Sequence, residues 1–187
     1  ITAGAREYLA ADICLKYMKE AVSEPCKEEQ LEVAEKALRA KLNSLSLVQP
    51  EGTFRTARKE AAKLFDRKIL FTENPRKIES AVFTKDGHRV KIEAVINGEQ
   101  KTLYAGYKVW KRNDLYPDDH TKRYQNVAYA MDAEALYLSV GLINTSYKEE
   151  YCLWVNSQDK VIATWHPNVT YLPEEPDMIW KFTGTFE

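Results

Sequence analysis

No run of about eighteen apolar residues occurs anywhere in the chain, so no membrane-spanning helix is expected. Net charge is nearly absent. Twenty-seven Lys and Arg face twenty-eight Asp and Glu, a balance of -1 that removes any global electrostatic reason to bind nucleic acid or a membrane surface. Cysteine is scarce: Cys14, Cys26 and Cys152 show no CxxC spacing and no neighbouring histidine pair, which argues against a zinc site. Their odd number leaves at least one free thiol, and reduced, mostly buried cysteines are expected. A Cys14–Cys26 bridge stays open, because both lie around the first predicted helix–helix turn. There is no P-loop, GxGxxG, GxSxG or HExxH, so no motif assigns a cofactor or a reaction. With only His88, His120 and His166, general acid–base options are few. No signal peptide is visible. The chain begins at Ile1 rather than Met, so removal of an upstream segment is expected and the compartment is unassigned.

What is present suits a soluble globular protein. The 187 residues are 44% hydrophobic and 29% charged, enough apolar material for a core in one domain. The first third has helical spacing. In "REYLAADICLKYMKEAV", Tyr8, Ala11, Leu15, Met18 and Val22 recur every three or four residues. In "KEEQLEVAEKALRAKLNSL", Leu31, Ala34, Leu38, Leu42 and Leu45 make a second stripe, with acids early and bases late as a helix dipole favours. Thr53 is a suitable N-cap for a third helix, "FRTARKEAAKLFDRK", with Phe54, Ala57, Ala61 and Leu64 inward.

Near Asn74-Pro75 the character changes to strands. Asp86-Gly87 and Asn97-Gly98 are hairpin signals that divide residues 78–111 into a three-stranded meander. Further strands are predicted at 124–131, 135–143, 149–156, 160–166 and 178–186. The fold class that follows is α+β: two or three N-terminal helices packed on a curled antiparallel sheet of seven or eight strands, cystatin-like or a partly closed barrel. One domain, 1–187, is expected, with a helical part over 1–73 and a sheet part over 74–187.

Three places could carry function. The stretch "WKRNDLYPDDHTKRYQ", Trp110 to Gln125, is a long connection between predicted strands. Its Trp110 and Tyr116 are candidate partner contacts. Asp114, Asp118, Asp119 and His120 are candidate ligand or metal groups, although their spacing is not that of an EF-hand. The third helix would bring Arg55, Lys59, Lys63 and Arg67 into a basic ridge, and residues 55–77 hold eight basic against three acidic residues. Such a ridge could hold phosphates or an acidic protein surface. The strand aromatics, Tyr104, Tyr107, Tyr129, Tyr151, Trp154 and Trp165 among them, could line a pocket if the sheet curls.

Weighed together, the residues favour a non-enzymatic interaction module that holds a protein partner through the basic ridge or an aromatic sheet face. Two alternatives stand beside it. One is a small-molecule carrier or enzyme with a pocket inside the curled sheet. The other is nucleic-acid binding through the ridge.

Overall fold

In the computed structural model, residues 15, 16, 18, 28–44, 49–114, 124–143, 145, 147–168 and 179–187 are described. The chain divides into two compact units, Ile1–Val48 and Gln49–Glu187. In the first, α1 (Glu28–Ser44) is the second predicted helix. Its sequence has no Pro or Gly to interrupt it, and Arg39 reaches back to Glu35 at 2.7 Å, an i,i+4 pair. Of the first predicted helix, only Leu15, Lys16 and Met18 are described, and all three are helical.

The second unit is a β-barrel. Its strands are β1 (Lys68–Phe71), β2 (Ile78–Asp86), β3 (Arg89–Ile96), β4 (Glu99–Tyr107), β5 (Lys111–Asp114), β6 (Tyr124–Met131), β7 (Ala135–Leu142), β8 (Lys148–Val155), β9 (Val161–Pro167) and β10 (Trp180–Phe186). They hydrogen-bond in the order β4-β3-β2-β1-β10-β9-β8-β7-β6-β5. A parallel pairing of β4 with β6, Gly106 with Ala128 and Tyr107 with Tyr129, closes nine of them into a ring. Closure removes the free edges that an open sheet would expose. β5 runs antiparallel along β6 beside that junction. There the Asn113 amide is buried and substitutes for a missing ladder. Its Oδ1 accepts from Tyr104 N at 2.6 Å, and its Nδ2 donates to Tyr104 O at 3.0 Å and Lys111 O at 2.9 Å.

The hairpins behave as their turn residues require. Asp86 pairs with Arg89 and Ile96 pairs with Glu99, leaving two-residue loops at 87–88 and 97–98. Asn97 and Gly98 both have positive φ, as a type I′ turn needs. Inward and outward residues then alternate along each strand. On β8, Glu149, Tyr151, Leu153 and Val155 face in, while Lys148, Glu150, Cys152 and Trp154 face out.

Three expectations need correction. The sheet has ten strands rather than seven or eight, because β1 and β5 are short and their sequences, KILF and KRND, lack an alternating pattern. The third helix does not form. Residues 53–58 are irregular, Lys59–Leu64 is a single 3-10 helix, and Lys68 already opens β1. A short α-helix with four like charges at i,i+4 spacing is marginal alone. The barrel outbids it with backbone partners: Phe54 N donates to Met131 O at 2.8 Å, and Met131 N to Phe54 O at 3.2 Å. The apolar spacing still serves burial. Ala61 and Leu64 are completely buried, and the 3-10 helix closes one end of the barrel against β7 and β8. The third correction is that helix count. Among the described residues of Gln49–Glu187 there is no α-helix.

The interior is uneven. Toward the 3-10 helix it is solid, with Tyr129, Leu64, Ile69, Met131, Leu136, Val90 and Val161 all fully buried. Each such side chain contributes about 1.5–3 kcal/mol by leaving water. Tyr129 also meets Tyr107 edge-on at 5.8 Å and donates its hydroxyl to Arg55 O at 3.1 Å. Toward the opposite end the barrel is hollow.

Candidate functional site in the barrel cavity

The hollow half encloses a cavity of about 280 Å³. Its wall comes from all nine strands of the ring and is mainly aliphatic and aromatic, with Phe83, Ile92, Ala94, Leu103, Val127, Leu138, Val140, Leu153 and Phe182 among its residues. The size lies near the lower end of the range of about 300–1,000 Å³ typical of small-molecule sites. A polar cluster stands at the open end. It consists of Arg76, from the β1–β2 loop, and Glu149, Tyr147 and Tyr151, from β8 and the turn before it.

Local structure sets Arg76 there. Asn74-Pro75-Arg76-Lys77 is a turn, closed by Lys77 N donating to Asn74 O at 2.9 Å. Pro at its second position pre-sets the backbone. The buried Asn74 side chain pins both flanks. It donates to Thr72 O at 2.9 Å and Ile78 O at 2.8 Å, and accepts from Ile78 N at 3.0 Å. Lys77 has φ 52, and the register slips between Ile78 and Ser80, which turns the chain back into β2.

Glu149 is 2% exposed, which a carboxylate tolerates only with partners. It has three. Arg76 Nη2 lies 3.1 Å from Oε1, the Tyr147 hydroxyl donates to Oε1 at 2.8 Å, and the Tyr151 hydroxyl donates to Oε2 at 2.5 Å. Burial, then the adjacent Glu149 charge, push the Tyr151 phenol well above its ordinary range, so it stays a donor. Burial works against the Arg76 charge, but Tyr151 and Glu149 outweigh it and the guanidinium pKa is raised. A second ion pair, Lys101 with Glu99 at 2.6 Å, stands on β4 at the same end.

Of the strand aromatics expected to line a pocket, Tyr151 does so, and the other predicted site residues are elsewhere. Asp114 is exposed at the end of β5, and Trp110 is half-buried just before that strand. Tyr116, Asp118, Asp119 and His120 lie outside the described residues, as do Cys14 and Cys26. Cys152 is a free thiol. Among the described residues no group of three or more His, Cys, Asp or Glu could hold a metal ion. No helix among them is long and apolar enough to cross a membrane. His88 is exposed in its hairpin, and His166 lies 3.8 Å from Glu150 on the outer face. The basic ridge has lost its helix. Arg55 is in irregular chain and Lys59 has φ 48. Lys63 pairs with Glu60 at 2.6 Å, and both Lys63 and Arg67 face Asp159, at 3.7 and 3.9 Å. Arg67 also stacks 3.6 Å from the Phe186 ring centroid.

Sequence reasoning missed Asn74, Arg76 and Glu149. One signal was available: in "YKEEYCLWV" Glu149 shares the parity of Tyr151, Leu153 and Val155, a charge on the apolar face of a strand. Nothing comparable marked Arg76, whose direction depends on a turn.

No family model matches the chain, and no curated protein matches it. Among solved structures, the barrel is similar to apo lipid binding protein 8 (LBP-8) of Caenorhabditis elegans. The TM-score is 0.52 at 10% identity, and the match covers 70% of this chain and 100% of that one. The likeness is one of fold. The reading as an interaction module that grips a protein partner through a basic helix ridge or an aromatic sheet face is corrected by this likeness to a protein named for lipid binding. The nucleic-acid alternative rested on the same ridge and loses its helix with it.

Proposed function

We propose that the barrel is a carrier for a small, largely apolar molecule, held in the cavity with its polar end at the Arg76–Glu149 cluster. The observation that carries this reading is the cavity itself: an apolar chamber of about 280 Å³ inside a closed barrel, with its few polar groups gathered at one end. A barrel built only for stability would fill that space, since an unfilled core loses about 24 cal/mol per Å³ of void. The arrangement resembles small-molecule sites in general, where apolar walls supply affinity and a few polar groups set orientation. The fold of LBP-8, a protein named for lipid binding, supports the same reading.

Titration with the neutral dye N-phenyl-1-naphthylamine, followed by its emission, tests it. Saturable binding of one dye per barrel is expected. Ala94→Phe, which extends a ring into the cavity from β3, should weaken it about tenfold or more while circular dichroism stays that of the parent, because over-packing a filled site costs about 1–3 kcal/mol. Absence of saturable binding, or binding indifferent to Ala94→Phe, would refute the carrier.

A further inference from the structure

Among the described residues, the charges at the cavity are already balanced. Arg76 is matched by Glu149 at 3.1 Å and Lys101 by Glu99 at 2.6 Å. Glu149 is held by two tyrosine hydroxyls as well as by Arg76, and is too deeply buried to swing aside at little cost. A carboxylate or phosphate entering here would lie beside Glu149, and the described residues of the cavity wall offer it no unmatched cation. What the cluster has left over is hydrogen-bond donors. Arg76 Nε is buried and has no acceptor. Trp165 is the cross-strand partner of Tyr151, is 9% exposed, and has its ring centroid 5.9 Å from the Arg76 guanidinium carbon. Its Nε1 is likewise buried without an acceptor. Buried N–H groups left unpaired cost free energy, and unpaired donors at a ligand site mark where a ligand oxygen belongs.

We infer that the ligand's polar end is an uncharged hydrogen-bond acceptor, such as an ester or ketone oxygen, received by Arg76 Nε–H, and not a carboxylate. The inference rests on the carrier reading and adds to it the class of ligand. Glu149 is then the residue that sets the class, by occupying the charge that would otherwise recruit an acid.

The test is displacement of N-phenyl-1-naphthylamine by methyl octanoate and by octanoate, at equal chain length, in the parent protein and in Glu149→Gln. Gln keeps one acceptor oxygen for one tyrosine hydroxyl, while the other hydroxyl can turn to accept from its Nε2, and it frees the Arg76 charge. The parent should prefer the ester, and the ester-to-acid preference should fall about tenfold or more in Glu149→Gln, since like-charge juxtaposition is strongly discriminating. Taking this ratio between proteins cancels the ester's greater intrinsic hydrophobicity. Octanoate binding the parent as tightly as the ester, or an unchanged ratio in folded Glu149→Gln, overturns the inference and leaves the carrier standing. Failure of the dye itself to bind overturns the carrier, and the inference with it. Should Glu149→Gln not fold, Arg76→Lys decides. It keeps a cation for Glu149 but loses the Nε donor, so ester affinity should drop about fivefold to tenfold with octanoate unchanged. No drop overturns the inference.

Discussion

Replacing Arg76 by Met leaves a carboxylate buried without its cation. Removing one partner of a buried ion pair commonly costs about 3–5 kcal/mol. Two features reduce the figure here. The Arg76 side chain is 37% exposed, so water already screens part of the pair, and the Tyr147 and Tyr151 hydroxyls continue to donate to Glu149. The expected loss is therefore about 2 kcal/mol. For a barrel of this size that lowers Tm by about 4–8 °C. Urea denaturation followed by tryptophan fluorescence measures it. The double variant Arg76→Met/Glu149→Gln should recover about half of the loss or more, because Gln removes the stranded charge and still offers one acceptor oxygen to the tyrosine pair. Arg76→Met within about 0.5 kcal/mol of the parent would refute the reasoning. So would a double variant whose losses simply add, since coupled partners must not be additive.

Other expectations follow from single contacts. Asn74→Ala removes three hydrogen bonds that pin the Arg76 turn, and should cost about 2–3 kcal/mol in urea denaturation as well as weakening dye binding. Gly184→Ala would set a Cβ 2.7 Å from Ile69 Cγ2 and 3.2 Å from Leu70 O at the β1–β10 seam, and should destabilise by about 1–3 kcal/mol in the same assay. Burial pushes the Cys152 thiol up to about 11 from 9.0, with Asp132 adding to the shift. Raised pKa means the folded state keeps the proton longer than the unfolded chain. The stability tied to this group is thus whole below pH 9 and lost as pH rises from 9 to about 11. Iodoacetamide should accordingly modify Cys152 slowly at pH 8.5 in folded protein and quickly in urea, read by peptide mass mapping. Equal rates would refute the burial argument.

Local chemistry was largely legible. The Asn97-Gly98 turn needs two positive φ angles, and Asp86-Gly87 announces the preceding hairpin, so β2, β3 and β4 could be placed from residues alone. β6 to β10 were visible for a similar reason: runs such as "ALYLSVGL" are too apolar to stay in water. The two strands that were missed, KILF and KRND, are four residues each and take their strand form from neighbours, β2 and β10 for one and β6 for the other. The failed helix over 54–68 shows the same limit from the other side. Its apolar spacing is real, and Leu64 and Ala61 are buried as the spacing demands. Whether that spacing is met by an α-helix or by a 3-10 turn capping a barrel depends on what Met131 offers to Phe54, 77 positions away.

The site divides along the same line. Sequence by itself determined that the strands carry one apolar face and one polar face, and that aromatic and charged residues are mixed into them, because side-chain parity is a local property of extended chain. It could not determine that β4 meets β6 in parallel, which is what turns a sheet into a closed chamber. Nor could it bring Arg76 to Glu149, which are 73 residues apart and come from a loop and a strand that only barrel closure sets face to face. Closure, cavity and charge balance are properties of distances between remote residues, and only the tertiary structure decided them.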